Sequence, residues 1–179
     1  MRRPASVRIR RARPSDGEAA CGLWAALHRE HEAQDARYRL SEDAALRWMT
    51  DFRTWARDDG YRVFLAEAAR EGTPAVPVGL LTAHLAEPAP VYAPLLFVYV
   101  NDLYVVPGFR RAGVARALLG EAEAWARATG AAEIRAGVLA RNAAARAFWA
   151  RAAAADYSVT VTLPVPAVSE AVSEAARRA

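Results

Sequence analysis

The chain has 179 residues, 54% hydrophobic and 25% charged, a balance typical of a globular domain and not of a disordered or fibrous chain. No apolar run reaches the roughly 18 residues of a transmembrane helix, and the basic start lacks a signal peptide's apolar core, so no membrane association is expected. The formal net charge of +4 permits anionic partners, but outside 8–13 and 110–116 the arginines are scattered, so we expect no nucleic-acid partner.

The first third of the chain predicts one strand and two helices. VRIRRAR at 7–13 alternates apolar and basic residues, as a half-exposed strand does. Pro14-Ser15-Asp16 supplies a turn and an N-cap for a helix over about 16–33. A second helix starts at Ser41-Glu42-Asp43, and the stretch 34–40 between the two helices is predicted to be a loop.

The middle of the chain predicts a hairpin, a long strand and a helix. YRVFLAEA at 61–68 and VPVGLLTAHLA at 76–86 are separated by a turn, which favours a hairpin. LLFVYVNDLYVV at 95–106 is apolar enough for a buried strand. A turn and a helix over about 111–129 follow, and Gly130 ends the helix.

The last third predicts two more strands around one helix. EIRAGVL at 133–139 is a strand, Asn142 caps a helix to about residue 154, and YSVTVTLPV at 157–165 is the last strand. The order β-α-α-β-β-β-α-β-α-β indicates an α/β fold in which a mixed sheet of about 6–7 strands is flanked by about four helices. We expect one domain over 1–165 and a tail at 166–179 that is compatible with a short helix.

The stretch VVPGFRRAGVARALL at 105–119 carries the first chemical signal. A helix that begins near Arg111 presents unpaired N–H groups and the positive end of its dipole. Gly113 lets a ligand approach the backbone, and Arg110, Arg111 and Arg116 add donors suited to phosphate. The pattern is typical of a phosphate or pyrophosphate site. From this stretch alone, a solvated basic helix start with an incidental glycine fits equally well. It is neither a Walker loop nor a three-glycine dinucleotide fingerprint.

Two segments together resemble the GNAT family of N-acetyltransferases. The run V-x-P-x-x-R-x-x-G-x-A, from Val105 to Ala115, is similar to the family's acetyl-CoA signature Q/R-x-x-G-x-G/A. One strand later, NAAARAFWAR at 142–151 is similar to the family's N-x-x-A-x-x-F/L-Y-x-K/R segment, and IRRARPSD at 9–16 is a common start in the family. The resemblance covers 7–165 and implies the GNAT fold, with a mostly antiparallel mixed sheet. It also implies direct transfer of the acetyl group of acetyl-CoA to an amine of a small molecule or peptide.

The resemblance further implies where acetyl-CoA, the co-substrate, would bind. Backbone groups of Leu103, Tyr104 and Val105 would pair with the pantetheine arm as if it were an added strand. The N–H groups from Arg111 to Arg116 would hold the pyrophosphate, and Asn142, which also fits a plain helix N-cap, would hydrogen-bond the cofactor. The cofactor-binding candidates are Leu103, Tyr104, Val105, Arg110, Arg111, Ala112, Gly113, Val114, Ala115, Arg116, Asn142 and Trp149.

This sequence departs from the family's pattern at Trp149. The family often has a tyrosine there, whose hydroxyl protonates the leaving thiolate, and a tryptophan has no O–H to donate. Tyr104 and Tyr157 are candidate replacements, and solvent is a further one. The family's G-F pair after this helix is also missing. The alternative function is therefore a catalytically weak domain that binds acyl-CoA and serves regulation or assembly.

The sequence indicates the catalytic base and the acceptor-binding site less clearly than the cofactor site. A carboxylate can take the proton that an ammonium must lose, and Asp102 lies just before the residues expected to pair with pantetheine, although a structural role fits it equally. Strand alternation places Asp102 and Tyr104 on one face. In the family the first two helices and their loop line the acceptor site, so His31, Asp35 and Tyr38 are the substrate-binding candidates, or else solvated residues.

The remaining expectations concern metals, redox compartment and assembly. His28 and His31 lack the spacing of an HExxH zinc motif, so no metal site is expected. Cys21, the single cysteine, excludes an internal disulfide and fits the reducing cytoplasm. The family resemblance is compatible with a homodimer, whose interface the last strand or the tail would supply.

Overall fold

The strands are built by the segments that alternate or run apolar in the sequence. The computed structural model describes residues 6–69 and 72–164. Within these residues the strands are β1 (Ser6–Arg11), β2 (Tyr61–Ala69), β3 (Val76–Ala86), β4 (Phe97–Val105) and β5 (Glu133–Ala136). They form one sheet in the order β1-β2-β3-β4-β5, in which every neighbouring pair is antiparallel except the parallel pair β4 and β5.

Helices cover both faces of this sheet. They are α1 (Gly17–Gln34), α2 (Ala44–Trp55), α3 (Val114–Thr129) and α4 (Ala143–Arg151). Alternation along β2 places Leu65 in the core under α1 and α2, with Phe52 and Leu80, while Phe64 lies in the opposite core with Leu118 of α3. None of the described helices is long and apolar enough to cross a membrane.

The predicted fold class is confirmed, but the predicted count of 6–7 strands is wrong for the described residues. The segment 157–164 is extended coil that pairs with no strand. Its alternating apolar residues are 75–89% exposed, so the segment that the pattern predicted to be a strand has no core to pack against. That set is Tyr157, Val159, Val161 and Leu163. The predicted tail at 166–179 lies outside the described residues.

Several predicted element boundaries also differ from the observed ones. α3 begins at Val114 and not near Arg111, because Arg111 (φ 63°) and Gly113 (φ 81°) have left-handed backbone that no α-helix accepts. The strand predicted over 133–139 ends at Ala136, and the helix predicted to residue 154 ends at Arg151, two residues before left-handed Ala153 (φ 62°). A 3₁₀ turn, Ala36–Tyr38, lies in the predicted loop at 34–40.

A β-bulge in β4 determines what faces the site. Thr82 of β3 is opposite Asp102 and Ala83 is opposite Val100, which leaves Asn101 as the extra residue. The bulge shifts the alternation, so that Val100 before it and Val105 after it both belong to the core under α3. Asp102 and Tyr104 consequently lie on the α1 face, as strand alternation predicts.

The parting of β4 and β5 creates the opening in the sheet. The two strands pair only between Phe97–Val100 and Glu133–Ala136, and β4 continues to Val105 with β3 on one side and no strand on the other. Gly79 of β3 lets α3 lie close to the sheet, since a Cβ there would lie 3.1 Å from Leu118 Cδ1 and 3.1 Å from the Tyr104 carbonyl oxygen. The start of α3 is thereby held next to the free end of β4.

Candidate active site

A cavity of about 350 Å³ lies where β4 and β5 part. One wall comes from α1 and the turn after it, a second from the bulged part of β4, and the third from the chain between β5 and α4. The lining residues are Leu27, His28, His31, Tyr38, Val100, Asn101, Asp102, Leu103, Ala136, Gly137, Val138, Leu139, Asn142, Ala145, Trp149 and Thr160.

Asp102 is the buried charge of this cavity, with 9% of its surface exposed. Its Oδ2 accepts a short hydrogen bond from the hydroxyl of Thr82, the residue opposite it on β3. Its Oδ1 lies 3.7 Å from Nε2 of His28 on α1. Each carboxylate oxygen therefore has its own neighbour, and the carboxylate is held in one orientation.

An aromatic row follows α1 along the cavity. The His28 ring lies 4.5 Å from the Trp24 ring and 5.5 Å from that of His31, which in turn lies 5.7 Å from the ring of Tyr38. Burial, and then the neighbouring His28, lower the pKa of His31 below its usual value. This shift favours the neutral form of His31.

The predicted substrate residues divide between the cavity and its surroundings. His31 and Tyr38 line the cavity, whereas Asp35 does not. The Arg37 guanidinium donates to both oxygens of Asp35 and holds the pKa of that carboxyl far below its usual range. Arg37 also donates to the Thr162 hydroxyl at 3.2 Å, so the exposed segment after α4 contacts the turn after α1.

The other acids in the second half of α1 are also paired with arginine. Glu30 accepts from Arg110 at 2.6 Å, and Glu32 accepts from Arg39 at 3.1 Å. Glu67, a further carboxylate on β2, is bound by Arg10 at 2.6 Å. None of these carboxylates lines the cavity.

The turn before α3 leads into a helix start. The first helical hydrogen bond runs from the Ala117 N–H to the Gly113 carbonyl at 2.9 Å, so the N–H groups of Val114, Ala115 and Arg116 have no acceptor within the helix. A Cβ on Gly113 would point into open space, so its left-handed φ and not crowding is what requires glycine. Such a run of N–H groups at a helix start is suited to an anion.

The arginines around this turn are not equally available. Arg110 is drawn inward, with Nε donating to the Val105 carbonyl at 2.8 Å and a terminal nitrogen to Glu30. Arg116 forms a two-bond pair with Glu123. Arg111 has no side-chain partner among residues 6–69 and 72–164. The turn itself lies outside the cavity lining.

The remaining cofactor candidates lie mostly on the cavity wall. Leu103, Asn142 and Trp149 line it, and Val105 is buried at the end of β4. The Asn142 side-chain oxygen caps α4 by accepting from the Ala145 N–H at 3.0 Å, which leaves its NH₂ group without a partner in the described chain.

The two tyrosines considered as proton donors lie elsewhere. Tyr104 is buried on the α1 face, with its hydroxyl 3.4 Å from Glu30, and burial raises its pKa. Tyr157 is 75% exposed, with its ring 4.4 Å from the Arg135 guanidinium. Neither lines the cavity; among the lining residues the hydroxyls belong to Tyr38 and Thr160.

His28 is the site residue to which sequence reasoning assigned no role. It entered that reasoning only as half of a zinc motif with the wrong spacing. The available signal was helical spacing, because residues three apart share a helix face and His31 was already a substrate candidate. The neighbour that gives His28 its chemistry, Asp102, is 74 residues further along the chain and could not be paired with it from local pattern.

Known structures share this fold. A mutant of the BH1408 protein from Bacillus halodurans superposes with a TM-score of 0.78 at 21% identity, covering 89% of this chain and 99% of that one. The aminoglycoside N-acetyltransferase AAC(6')-Iy in complex with CoA gives 0.70 at 19% identity, covering 92% and 98%. The same enzyme with the bisubstrate analog CoA-S-monomethyl-acetylneamine gives 0.69 at 19%, covering 90% and 99%.

The sequence itself points to the same family. Among curated proteins none matches it significantly. A profile of the acetyltransferase (GNAT) family matches residues 24–154, a span that includes most of α1, the bulged β4, the glycine turn and α4. The chain therefore belongs to the GNAT acetyltransferase family.

Proposed function

We propose that this protein is an N-acetyltransferase that moves the acetyl group of acetyl-CoA directly to the amine of a small molecule. The observation that carries the proposal is one continuous arrangement. The turn and helix start at 111–116 adjoin the end of β4 that has no partner on its β5 side, and that strand leads into a cavity that holds a buried carboxylate and two histidines.

The residues present fit the cofactor from its phosphates to its thioester. The N–H groups of 111–116 hold the pyrophosphate, and the open space beside Gly113 gives it room. Beyond Val100, β4 has no partner on its β5 side, so backbone groups of Leu103 to Val105 pair with the pantetheine arm as a strand would. Asn142 and Trp149 close the opposite wall.

The chemistry needs one bond made, one broken and two proton movements. The neutral amine nitrogen attacks the thioester carbon, the C–N bond forms, and the C–S electron pair leaves with the sulfur. The amine proton goes to a base in the cavity. The buried Asp102 supplies the negative charge that favours this proton transfer. Positioning by the cavity walls and backbone donors at the bulge supply the rest of the acceleration.

Protonation of the leaving thiolate is assigned to solvent. Trp149 lines the cavity where the family often has tyrosine, and the hydroxyls of Tyr104 and Tyr157 lie outside the lining. Because a thiolate is a good leaving group, catalysis does not require a dedicated acid. The arrangement thus supports a working enzyme in spite of the missing tyrosine.

The acceptor is proposed to carry one amine on an apolar or aromatic body. Leu27, Tyr38 and Leu139 supply apolar and aromatic surface in the cavity. A polycation such as an aminoglycoside, the substrate named for AAC(6')-Iy, needs several free carboxylates. Here the acids of the second half of α1 and of the turn after it, Glu30, Glu32 and Asp35, each have an arginine partner.

Thermal unfolding in the presence of acetyl-CoA tests the proposed binding of this cofactor. At 100 times the dissociation constant the ligand stabilises the fold by about 2.7 kcal/mol, a rise in Tm of about 5–10 °C for a domain of this size. Gly113→Glu should abolish the rise, because it places a carboxylate where the pyrophosphate binds. Gly72→Glu is the matched control, since Gly72 has a similar φ of 75° and open space around it.

Acetyl transfer to a panel of amines then separates the enzyme from the alternative. A regulatory acyl-CoA-binding domain would show the same rise in Tm without turnover on any amine. No rise in the wild-type protein at millimolar acetyl-CoA would contradict both.

A further inference from the structure

We infer that His28, and not Asp102, takes the proton from the acceptor amine, and that Asp102 is a positioning residue that holds the imidazole. This inference rests on the proposed function. It assigns the base within the same cavity to a residue that neither the acetyl-CoA motifs nor strand alternation indicated.

The first argument is the geometry of the carboxylate. Thr82 donates its hydroxyl to Oδ2 of Asp102, which fixes the carboxylate and directs Oδ1 toward His28. The His28 Nε2 lies 3.7 Å from Oδ1, with 21% of the histidine side chain and 11% of the aspartate side chain exposed. Asp102 is therefore the more enclosed of the two groups, and His28 is the more open to a ligand in the cavity.

The second argument is the match between base strength and task. A carboxylate with an ordinary pKa of about 3.9 is a weak base at neutral pH, whereas an imidazole with an ordinary pKa of about 6.5 is close to the ideal. With Nε2–H turned toward Asp102, the lone pair of Nδ1 is left to accept a proton. The imidazolium formed during attack is then stabilised by the fixed carboxylate.

The third argument is the contrast between the two cavity histidines. The charged and titratable groups that face His28 are Asp102 from β4 and His31 from its own helix; Glu30 is turned to Arg110. No His31 ion pair with a carboxylate is found within the described chain, and burial and His28 lower the pKa of His31 by more than the charges of Asp102 and Glu30 raise it. His31 thus offers the acceptor an uncharged ring. His28, by contrast, has the carboxylate of Asp102 beside it, which stabilises a proton once the imidazole has accepted one.

The proton path follows from this assignment. The amine nitrogen forms the C–N bond and gives its proton to Nδ1 of His28, the C–S pair leaves on sulfur, and the thiolate takes a proton from water. His28 then releases its proton to solvent through the open side of the cavity.

Two measurements test the inference on the whole chain. With phenethylamine as acceptor, His28→Gln should lower kcat/KM by about 10²–10⁴-fold and remove the rise of kcat/KM with pH near neutrality, while the acetyl-CoA thermal shift is kept. Asp102→Asn keeps an oxygen for the Thr82 hydroxyl. In that variant kcat should fall by about tenfold or more, but the rise of kcat/KM with pH that His28→Gln removes should be kept, because the base itself is still present.

The outcomes separate the two proposals. If the wild-type protein turns over amines and His28→Gln keeps both its rate and its pH dependence, the assignment of His28 is wrong and the proposed function stands. An unchanged kcat in Asp102→Asn, or loss of that pH dependence, likewise overturns the positioning role. If the wild-type protein binds acetyl-CoA but acetylates no amine, the proposed function fails and the base assignment fails with it.

Discussion

The cleft between β4 and β5 has a cofactor end, at the turn before α3, and an acceptor end, at the cavity beside α1. These two ends present charge in opposite ways. At the cofactor end the groups on offer are backbone N–H donors at 111–116 and the Arg111 guanidinium, which has no partner in the described chain, all from one contiguous stretch. At the acceptor end the charges come from distant segments and are already paired, as in Asp35 with Arg37 and Asp102 with Thr82 and His28. The cofactor end is therefore ready for an anion, whereas the acceptor end has little free charge for a cation.

The largest expected effect of this difference is on acceptor choice. Phenethylamine should be acetylated with a kcat/KM at least about tenfold above that of kanamycin, equivalent to about 1.4 kcal/mol in the transition state, because the cavity offers an apolar surface and one buried carboxylate. Steady-state assays with both amines at the same pH and salt measure the ratio.

A variant sharpens the same comparison. Arg37→Gln releases Asp35 from its ion pair and should raise the kcat/KM for kanamycin relative to phenethylamine. Arg47→Gln is the matched control, because Arg47 forms a similar exposed pair with Asp43 on α2, away from the cavity. A wild-type preference for kanamycin would show that the paired carboxylates do not govern acceptor choice.

A smaller effect is expected within the cofactor end. Arg111→Ala should weaken acetyl-CoA binding by a factor equivalent to about 1.5 kcal/mol or less, and the loss should shrink in high salt, because the side chain is exposed and free to reach a phosphate. Arg116→Ala should cost less, since that guanidinium is bound to Glu123. Calorimetric titration of both variants at two salt concentrations checks the order; equal losses would mean that the Glu123 pair opens for the ligand.

The same contrast explains how much the sequence could predict. The glycine turn at Gly113 and the cap at Asn142 depend on local backbone, so contiguous motifs predicted both. The meeting of His28 with Asp102 depends on how α1 packs against a bulged strand, and no local pattern encodes that distance. The alternation in 157–164 is typical of a strand, but the prediction was wrong in this fold, because a strand also requires an edge and a core to pair with.

The smallest expected effect concerns stability at the acceptor end as pH falls. Burial lowers the folded-state pKa of His31 below the ordinary 6.5, so the unfolded chain binds this proton first, and stability falls as pH drops from about 6.5 toward the folded-state value. His31→Gln should flatten this part of the curve of Tm against pH by a small amount, because the side chain is only partly buried. Asp16, whose pKa is lowered by Arg10, should contribute to a separate loss below about pH 4 that His31→Gln leaves in place. If His31→Gln instead steepened the loss between about pH 6.5 and 5, His31 would be gaining a proton on folding, and it would present a positive charge to the acceptor.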